Sequence, residues 1–288
     1  TDPSSPPLRA GTAAVVLKVA APLRVAASSV DLDGPLSCSP WLRTIEVDEA
    51  PELTLSKAGE ALVVSSADAP DAPMPAHFAD DPAGRSEALA TLEDRARLQV
   101  LARSLAPQTP SFSPEDSPLR WRWSLVASPE QPLPESGASL DADARVRIDL
   151  ELVAGEPFHW FVSAVLVDPI GRLRLLNARM PEGIELGPGD REVIGVRFGR
   201  RGAQGLALRW PTPALGDAGP ASLLLLASRR PIELGHIIRP WEEGEGDDLD
   251  LSLRELGGDT KRDRKPEHTR ACLWTRFDFT LRRNPGPS

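Results

Sequence analysis

The 288-residue chain carries 42 acidic and 33 basic side chains, so its formal net charge is −9 at neutral pH. This acidic balance disfavours nucleic acid as a partner. No apolar run approaches the roughly 18 residues of a membrane-spanning helix, so we expect no membrane association either. The two cysteines, Cys38 and Cys272, argue against a disulfide framework and favour a reducing, cytoplasmic setting. Residues 1–7 also lack the basic start and apolar middle of a signal peptide.

The pattern of apolar residues and prolines divides the chain into two predicted domains. Residues 12–106 predict a small α+β domain, and residues 120–283 predict a mainly antiparallel β-sandwich, Ig-like or jelly-roll-like. The other segments are predicted to be tails or connections: a disordered tail at 1–11, a Pro-rich linker at 107–119, a charged insertion within the sandwich at 241–268 and a tail at 284–288.

The first predicted domain begins with strands. Alternating apolar residues over 15–25 predict a strand broken at Pro22, and those over 45–48 predict another. Residues 38–43 predict one helical turn around Pro40 and Trp41. Gly59 supplies the turn of a predicted hairpin between 53–55 and 62–64.

One long helix is predicted after these strands. Asp81 is a good N-cap and Pro82 a good first helical residue. One face carries apolar residues at helical spacing, and the second half is apolar on a second side as well, so we expect it to be buried more completely. The helix must end by Pro107.

The second predicted domain is made of short strands. Residues 120–125 and 145–152 alternate between apolar and polar, mostly charged side chains, which is typical of a strand with one buried and one solvent-exposed face. Residues 158–167 are apolar on both faces, as in a central strand, and lead into an Asp-Pro-Ile-Gly turn at 168–171. Further strands are predicted at 173–175, 193–198, 206–210, 223–227 and 271–281.

No catalytic constellation is evident. A nucleophilic thiol needs a histidine within hydrogen-bonding distance. Cys272 shares a predicted strand face with Trp274, so a semi-buried structural thiol is the better interpretation, and Cys38 lies beside a proline turn with no histidine near it in sequence. Signatures of serine hydrolases, phosphate-binding loops and dinucleotide sites are absent. We therefore expect no enzyme activity, no cofactor and no metal site.

A charged segment is the main candidate for binding. The acidic run at 241–250 could in principle supply calcium ligands, but its spacing does not match a helix–loop–helix calcium site, and a solvated acidic loop is the favoured interpretation. The alternative is a docking surface with a basic run beside it, to which two tryptophans next to prolines would add exposed anchors. The candidate partner-binding residues are Trp41, Trp241, Glu242, Glu243, Glu245, Asp247, Asp248, Asp250, Lys261, Arg262, Arg264 and Lys265.

Residues 158–176 form a predicted strand–turn–strand unit. Its sequence is Phe-His-Trp-Phe-Val-Ser-Ala-Val-Leu-Val-Asp-Pro-Ile-Gly-Arg-Leu-Arg-Leu-Leu. This unit resembles the β domains that follow the peptidase domain in bacterial caspase-like (metacaspase-type) proteins. Residues 221–228 look like the final core strand of such a domain, and residues 51–105 like the piece that joins it to the peptidase. The caspase-type His-Gly and Asp-x-Cys segments are missing, so no catalytic residue carries over.

The resemblance implies a non-catalytic recognition or regulatory module of a caspase-like peptidase system. Such a module would bind a protein partner, either the peptidase domain or its substrate, in bacterial stress or antiviral defence. Two alternatives stay open: a free-standing β-sandwich interaction or adhesion protein, and an unrecognised cysteine hydrolase that uses Cys38 or Cys272.

Overall fold

The structure, a computed structural model, describes residues 22–28, 39–45, 50–66, 72–105, 117–177, 179–195, 197–199, 202–212, 216–235, 238 and 272–284. Strands make up 51% of the structure, and its described residues contain a single helix. The protein is therefore mainly β, with several sheets, as the sequence predicts.

The first five strands are Leu23–Ser28 (β1), Leu42–Thr44 (β2), Leu53–Ala58 (β3), Ala61–Ser66 (β4) and Ala76–Ala79 (β5). They form the first sheet, in the order β2–β1–β3–β4–β5. Strand β1 runs parallel to both of its neighbours, and the remaining pairs are antiparallel. The predicted hairpin is confirmed: it joins β3 to β4, and Gly59 adopts a φ of +64° that favours glycine.

One local prediction in this region is wrong. The end of the expected helical turn at 38–43 belongs to strand β2, because Leu42 pairs with Leu23 in the parallel ladder with β1. The predicted strand at 45–48 lies almost entirely outside the described residues, as does the predicted segment at 15–21.

The predicted helix, α1, spans Pro82–Leu105. Its cap is confirmed, since the backbone N–H of Gly84 donates a 2.7 Å hydrogen bond to Oδ1 of Asp81. Leu92 and Ala96 are fully buried against the first sheet, whereas Leu101 is buried in a different cluster on the other side of the helix. The second half of α1 is therefore covered from two directions.

The remaining strands form two larger sheets and one short hairpin. Their ranges are Leu119–Leu125 (β6), Ser128–Pro132 (β7), Ser136–Asp141 (β8), Arg145–Leu152 (β9), Trp160–Val167 (β10), Leu173–Leu175 (β11), Ile184–Leu186 (β12), Arg191–Ile194 (β13), Arg197–Gly199 (β14), Gly202–Gln204 (β15), Leu206–Ala207 (β16), Ala218–Ser228 (β17) and Cys272–Arg282 (β18). The second sheet has the order β11–β10–β17–β18–β8, and β12 also pairs with β10. The third sheet has the order β13–β9–β6–β7, and β16 pairs with β9. Strands β14 and β15 pair only with each other among the described residues.

Several strand boundaries differ from the prediction. The central strand begins at Trp160 rather than at Phe158, and the expected strand at 193–198 is divided between β13 and β14. The pairing is antiparallel except between β18 and β8 and around β1. Strands β5, β7, β8, β12 and β15 are additional to those predicted, as is β2.

Side chains from the second and third sheets form one buried cluster. Trp123 of β6 lies at its centre, with its ring centroid 5.5 Å from that of Phe277 and 5.4 Å from that of Phe279 on β18. Such ring distances are typical of favourable tilted aromatic pairs. The two sheets thus share a single apolar core.

Helix α1 lies between the first sheet and the opposite face of the second sheet. Leu101 packs with Val165 and Leu224 of the second sheet, while Ile170, from the turn after β10, is fully buried in the cluster beneath the first sheet. The two parts of the chain therefore interlock through α1 and this turn.

Candidate interaction surface

Of the residues predicted to bind a partner, only Trp41 lies in the described part of the chain. It is half-buried and packs against the core of the first sheet, with the guanidinium of Arg97 5.8 Å from its ring centroid. This distance is within the range of cation–π attraction. The other predicted residues, Trp241, Glu242, Glu243, Glu245, Asp247, Asp248, Asp250, Lys261, Arg262, Arg264 and Lys265, lie outside the described residues.

A different group of side chains forms a surface cluster at one end of the core shared by the second and third sheets. We call Glu156, Phe158, Trp160 and Arg229 the aromatic–arginine cluster. Phe158 precedes β10 and Trp160 opens it, whereas Arg229 directly follows β17. Because Phe161 pairs with Ser228, the antiparallel register places Trp160 opposite Arg229.

The Arg229 guanidinium lies within cation–π distance of two aromatic rings. It lies 4.0 Å from the ring centroid of Phe158 and 5.5 Å from that of Trp160. Trp160 is only 1% exposed, but Phe158 is 41% exposed and is therefore half open to solvent. The cluster thus presents to solvent an aromatic ring with a cation against it.

The polar groups of the cluster are incompletely paired. The Nη2 of Arg229 lies 3.5 Å from Oε1 of Glu156, an ion pair beyond ordinary hydrogen-bond length. The Nε of Arg229, Oε1 of Glu156 and Nε1 of Trp160 are buried without a hydrogen-bond partner among the described residues. Unpartnered buried polar atoms are uncommon in folded proteins and call for an explanation at each site.

The two described histidines have other neighbours. His159 Nδ1 lies 2.9 Å from Oε1 of Glu185 on β12, and His77 lies on β5 opposite Val63. Cys272 pairs through its backbone with Ser228 in the second sheet, and Cys38 lies outside the described residues. The cysteine-hydrolase alternative therefore receives no positive support from the placement of either histidine.

The only strongly perturbed pKa values among the described residues belong to two buried charges near the turn after β10. Burial raises the pKa of Asp168 to about 6, although its carboxylate accepts hydrogen bonds from the backbone N–H groups of Ile170 and Arg172. Burial lowers the pKa of Arg95 to about 10, and Asp168 opposes this shift. Perturbed groups often mark functional sites, but these two are enclosed by α1 and the turn, where they hold the structure together.

Sequence reasoning missed the aromatic–arginine cluster because it assigned Phe158 to the strand. The signal was present: Gly155 and Pro157 indicate a turn just before the strand, which frees the next aromatic residue from the sheet. The partner cation could not be found locally, because only the pairing of β10 with β17 brings Arg229 to Phe158.

The described residues contain no group of three or more His, Cys, Asp or Glu side chains arranged to hold a metal ion. Their one helix is not apolar enough to cross a membrane. No family model, no curated protein and no solved structure matches the chain.

Proposed function

We propose that the protein is a non-catalytic recognition or regulatory module that binds a protein partner through the aromatic–arginine cluster. The observation that carries this proposal is the contact of Arg229 with the buried Trp160 and the half-exposed Phe158. Aromatic residues, including phenylalanine, and arginine are enriched in protein interfaces relative to the rest of the protein surface. A rigid, exposed ring loses little conformational entropy on binding, which favours affinity.

The exposed part of Arg229 supports the same role. Its side chain is 29% exposed, so a partner that covers Phe158 would also exclude water from the guanidinium and could offer a carboxylate to its accessible N–H groups. Hydrogen bonds to charged groups contribute about 1.5–3 kcal/mol, so a partner with an acceptor at this position gains affinity there. The cluster therefore combines apolar contact area with a specific polar requirement.

The wider setting that we propose is a bacterial caspase-like peptidase system in the cytoplasm, acting in stress or antiviral defence. The resemblance of residues 158–176 to post-peptidase β domains supports it. We also propose that the second and third sheets are the two halves of an Ig-like or jelly-roll-like sandwich, and their shared core supports this assignment. Under this proposal the module positions a substrate protein or restrains the peptidase.

The test is a binding experiment between the purified chain and a purified bacterial caspase-like peptidase domain, followed by size-exclusion chromatography. We expect a complex that Phe158→Ala and Arg229→Ala each weaken by about tenfold or more. Met180→Ala is the matched control, because Met180 is the other large exposed apolar side chain of the described residues, at 44%, and lies outside the cluster. It should leave the complex unchanged.

Two results would contradict the proposal. If the chain never associates with such a peptidase domain, the free-standing interaction or adhesion protein becomes the better candidate. If a complex forms but tolerates both cluster variants as well as it tolerates Met180→Ala, the binding surface lies elsewhere. The cysteine-hydrolase alternative predicts instead that replacing Cys38 and Cys272 by Ala abolishes biological activity.

A further inference from the structure

The outward face of the third sheet carries a concentration of arginines. We define the arginine face as the side chains of β6, β9 and β13 that point away from the shared core. It holds five arginines and only two carboxylates, although the whole chain has a net charge of −9. Its members are Arg120, Arg122, Arg145, Arg147, Asp149, Glu151 and Arg191.

Strand alternation produces this face. In β9 the residues Val146, Ile148, Leu150 and Leu152 are buried in the shared core, so the intervening charged residues must point outward. The antiparallel register with β6 then sets Arg120 opposite Glu151 and Arg122 opposite Asp149.

Each carboxylate of the face is shared by two arginines. The Nη2 of Arg191 donates a 2.8 Å hydrogen bond to Glu151, and this bond, with the nearby charge of Arg120, lowers the pKa of Glu151. Opposite-charge pairs directly across strands are favourable, so these contacts hold the arginines in place.

The same sharing occurs at the second carboxylate. Asp149 accepts a hydrogen bond from Arg147, and its other oxygen lies 3.6 Å from Nη2 of Arg122. The Nε of Arg147 is buried without a hydrogen-bond partner among the described residues. A guanidinium has five N–H donors, so the two carboxylates of the arginine face cannot accept hydrogen bonds from all the donors of its five arginines.

We propose that the arginine face docks an acidic protein segment, whose Asp and Glu carboxylates enter between the arginines of β6 and β9. Charge complementarity carries the proposal: the face offers more arginines than its own carboxylates can pair, in an ordered grid set by strand spacing. At about 0.1 M salt, electrostatic screening extends about 10 Å, so an approaching segment responds to this face rather than to the net charge of the chain.

An acidic peptide fits this grid better than a nucleic acid does. Asp149 and Glu151 are fixed within the face, and a phosphate backbone with its regular charge spacing would pass close to them. The side chains of a peptide can instead occupy the gaps beside Arg120, Arg122 and Arg145 individually. The proposal concerns a surface separate from the aromatic–arginine cluster, and neither depends on the other.

The test measures the binding of fluorescein-labelled decaglutamate by fluorescence anisotropy at about 0.1 M salt. The double reversal Arg120→Glu with Arg122→Glu should weaken binding by about tenfold or more, and the milder pair Arg120→Gln with Arg122→Gln by about threefold. The control, Arg179→Glu with Arg283→Glu, makes the same charge change at exposed positions outside the third sheet and should lower affinity less than about twofold. Circular dichroism melts establish that each variant is folded.

Four outcomes would overturn the proposal. The wild-type chain could show no saturable binding of decaglutamate, or the control reversal could weaken binding as much as the reversal on β6. A single-stranded polyuridine oligonucleotide of equal length could bind the face more tightly than the peptide does. Sedimentation that shows self-association, abolished by the Gln pair, would assign the face to a second copy of the chain.

Discussion

The Nε of Arg95, within α1, donates a 2.9 Å hydrogen bond to the carbonyl oxygen of Ile170, in the turn after β10. The same guanidinium donates to the carbonyl oxygen of Met74 at 2.6 Å and to Oγ of Ser66 at 3.1 Å. Arg95 is 1% exposed and Ile170 is fully buried. A single buried cation therefore joins the helix, the first sheet and the turn of the second sheet.

Replacing this cation should destabilise the whole fold. Arg95→Met keeps most of the side-chain volume but leaves the acceptors of Ile170 and Met74 unpaired. We expect the free energy of unfolding to fall by about 3 kcal/mol, measured by urea denaturation.

The matched control is Arg85→Met, which makes the same chemical change near the start of the same helix. The Arg85 side chain is 43% exposed and its ion pair with Asp80 lies at the surface, so its loss should lower the free energy of unfolding by less than about 1 kcal/mol. Equal effects of the two variants would show that Arg95 does not hold α1, the first sheet and the turn after β10 together.

Asp168 should make stability depend on pH. Its pKa is raised from 3.8 to about 6, so between these values the folded chain keeps a proton that the unfolded chain has released. Stability from this group is complete below pH 3.8 and is lost as pH rises through about 6. Asp168→Asn can still accept the two backbone hydrogen bonds through Oδ1.

We therefore expect Asp168→Asn to be more stable than the wild type by about 3 kcal/mol at neutral pH. The difference should vanish below about pH 3, where both states of the wild type are protonated. Urea denaturation of both proteins across this range measures it. A variant that is less stable at neutral pH would mean that the charge of Asp168 is needed beside Arg95 and Arg172.

The elements predicted correctly are those with local signals. The cap at Asp81 and the turn at Gly59 lie next to the elements that they start or join, so the sequence alone predicts α1 and the first hairpin. Strand β7 was missed because Pro129 and Pro132 argue against a strand, yet it is an edge strand, where proline is tolerated. The parallel pairing of β8 with β18 has no local signal, because its partners are distant in sequence.

The start of α1 provides a sharp test of packing. A Cβ on Gly84 would lie 2.1 Å from the backbone oxygen of Ala79, which cannot move without disturbing β5. Alanine is favoured over glycine in helices by about 1 kcal/mol, but this overlap should cost more. We expect Gly84→Ala to lower the free energy of unfolding by about 2 kcal/mol.

Gly155→Ala is the control for this change, since a Cβ at Gly155 meets no atom within 4 Å. It should be neutral or slightly stabilising, because alanine reduces the entropy of the unfolded chain. Thermal melts followed by circular dichroism compare the two variants. If both were neutral, the close approach of Gly84 to Ala79 would not exist in solution.

The cation–π contact within the aromatic–arginine cluster can be measured without any partner. In a double-mutant cycle with Phe158→Leu and Arg229→Met, we expect a coupling energy of about 0.5–1 kcal/mol in urea denaturation. Phe158→Leu should have a small effect, because Phe158 is half exposed, whereas Arg229→Met also leaves the largely buried Glu156 without its cation and should cost more. A coupling energy of zero would indicate that the two side chains do not stay in contact.

Trp41 should contribute to stability in proportion to its packing. Its ring contacts the core of the first sheet and lies beneath Arg97. We expect Trp41→Ala to lower the free energy of unfolding by about 2 kcal/mol, less than for a fully buried tryptophan. If stability were unchanged while partner binding was lost, Trp41 would be the interface anchor that its sequence context predicts.

The candidate surface was less predictable than the fold. Charged alternation in 145–152 correctly predicts a wet strand face, but it does not reveal that β6 and β13 add arginines on both sides. Likewise, the aromatic–arginine cluster depends on the register of β10 with β17. Both surfaces result from strand pairing over long sequence separations, and a single sequence read by periodicity carries no information about those pairings.

The position of β18 has a consequence for biosynthesis. This strand pairs with β17 along its whole length and with β8 on its other side. Both partners are synthesised before β18, so the second sheet is complete only after β18 has been synthesised. While a ribosome is still producing residues 229–271, β17 and β8 have open edges that can pair with other nascent chains. Chaperone protection is therefore most valuable during that interval, and a ribosome that stalls there would release an aggregation-prone fragment.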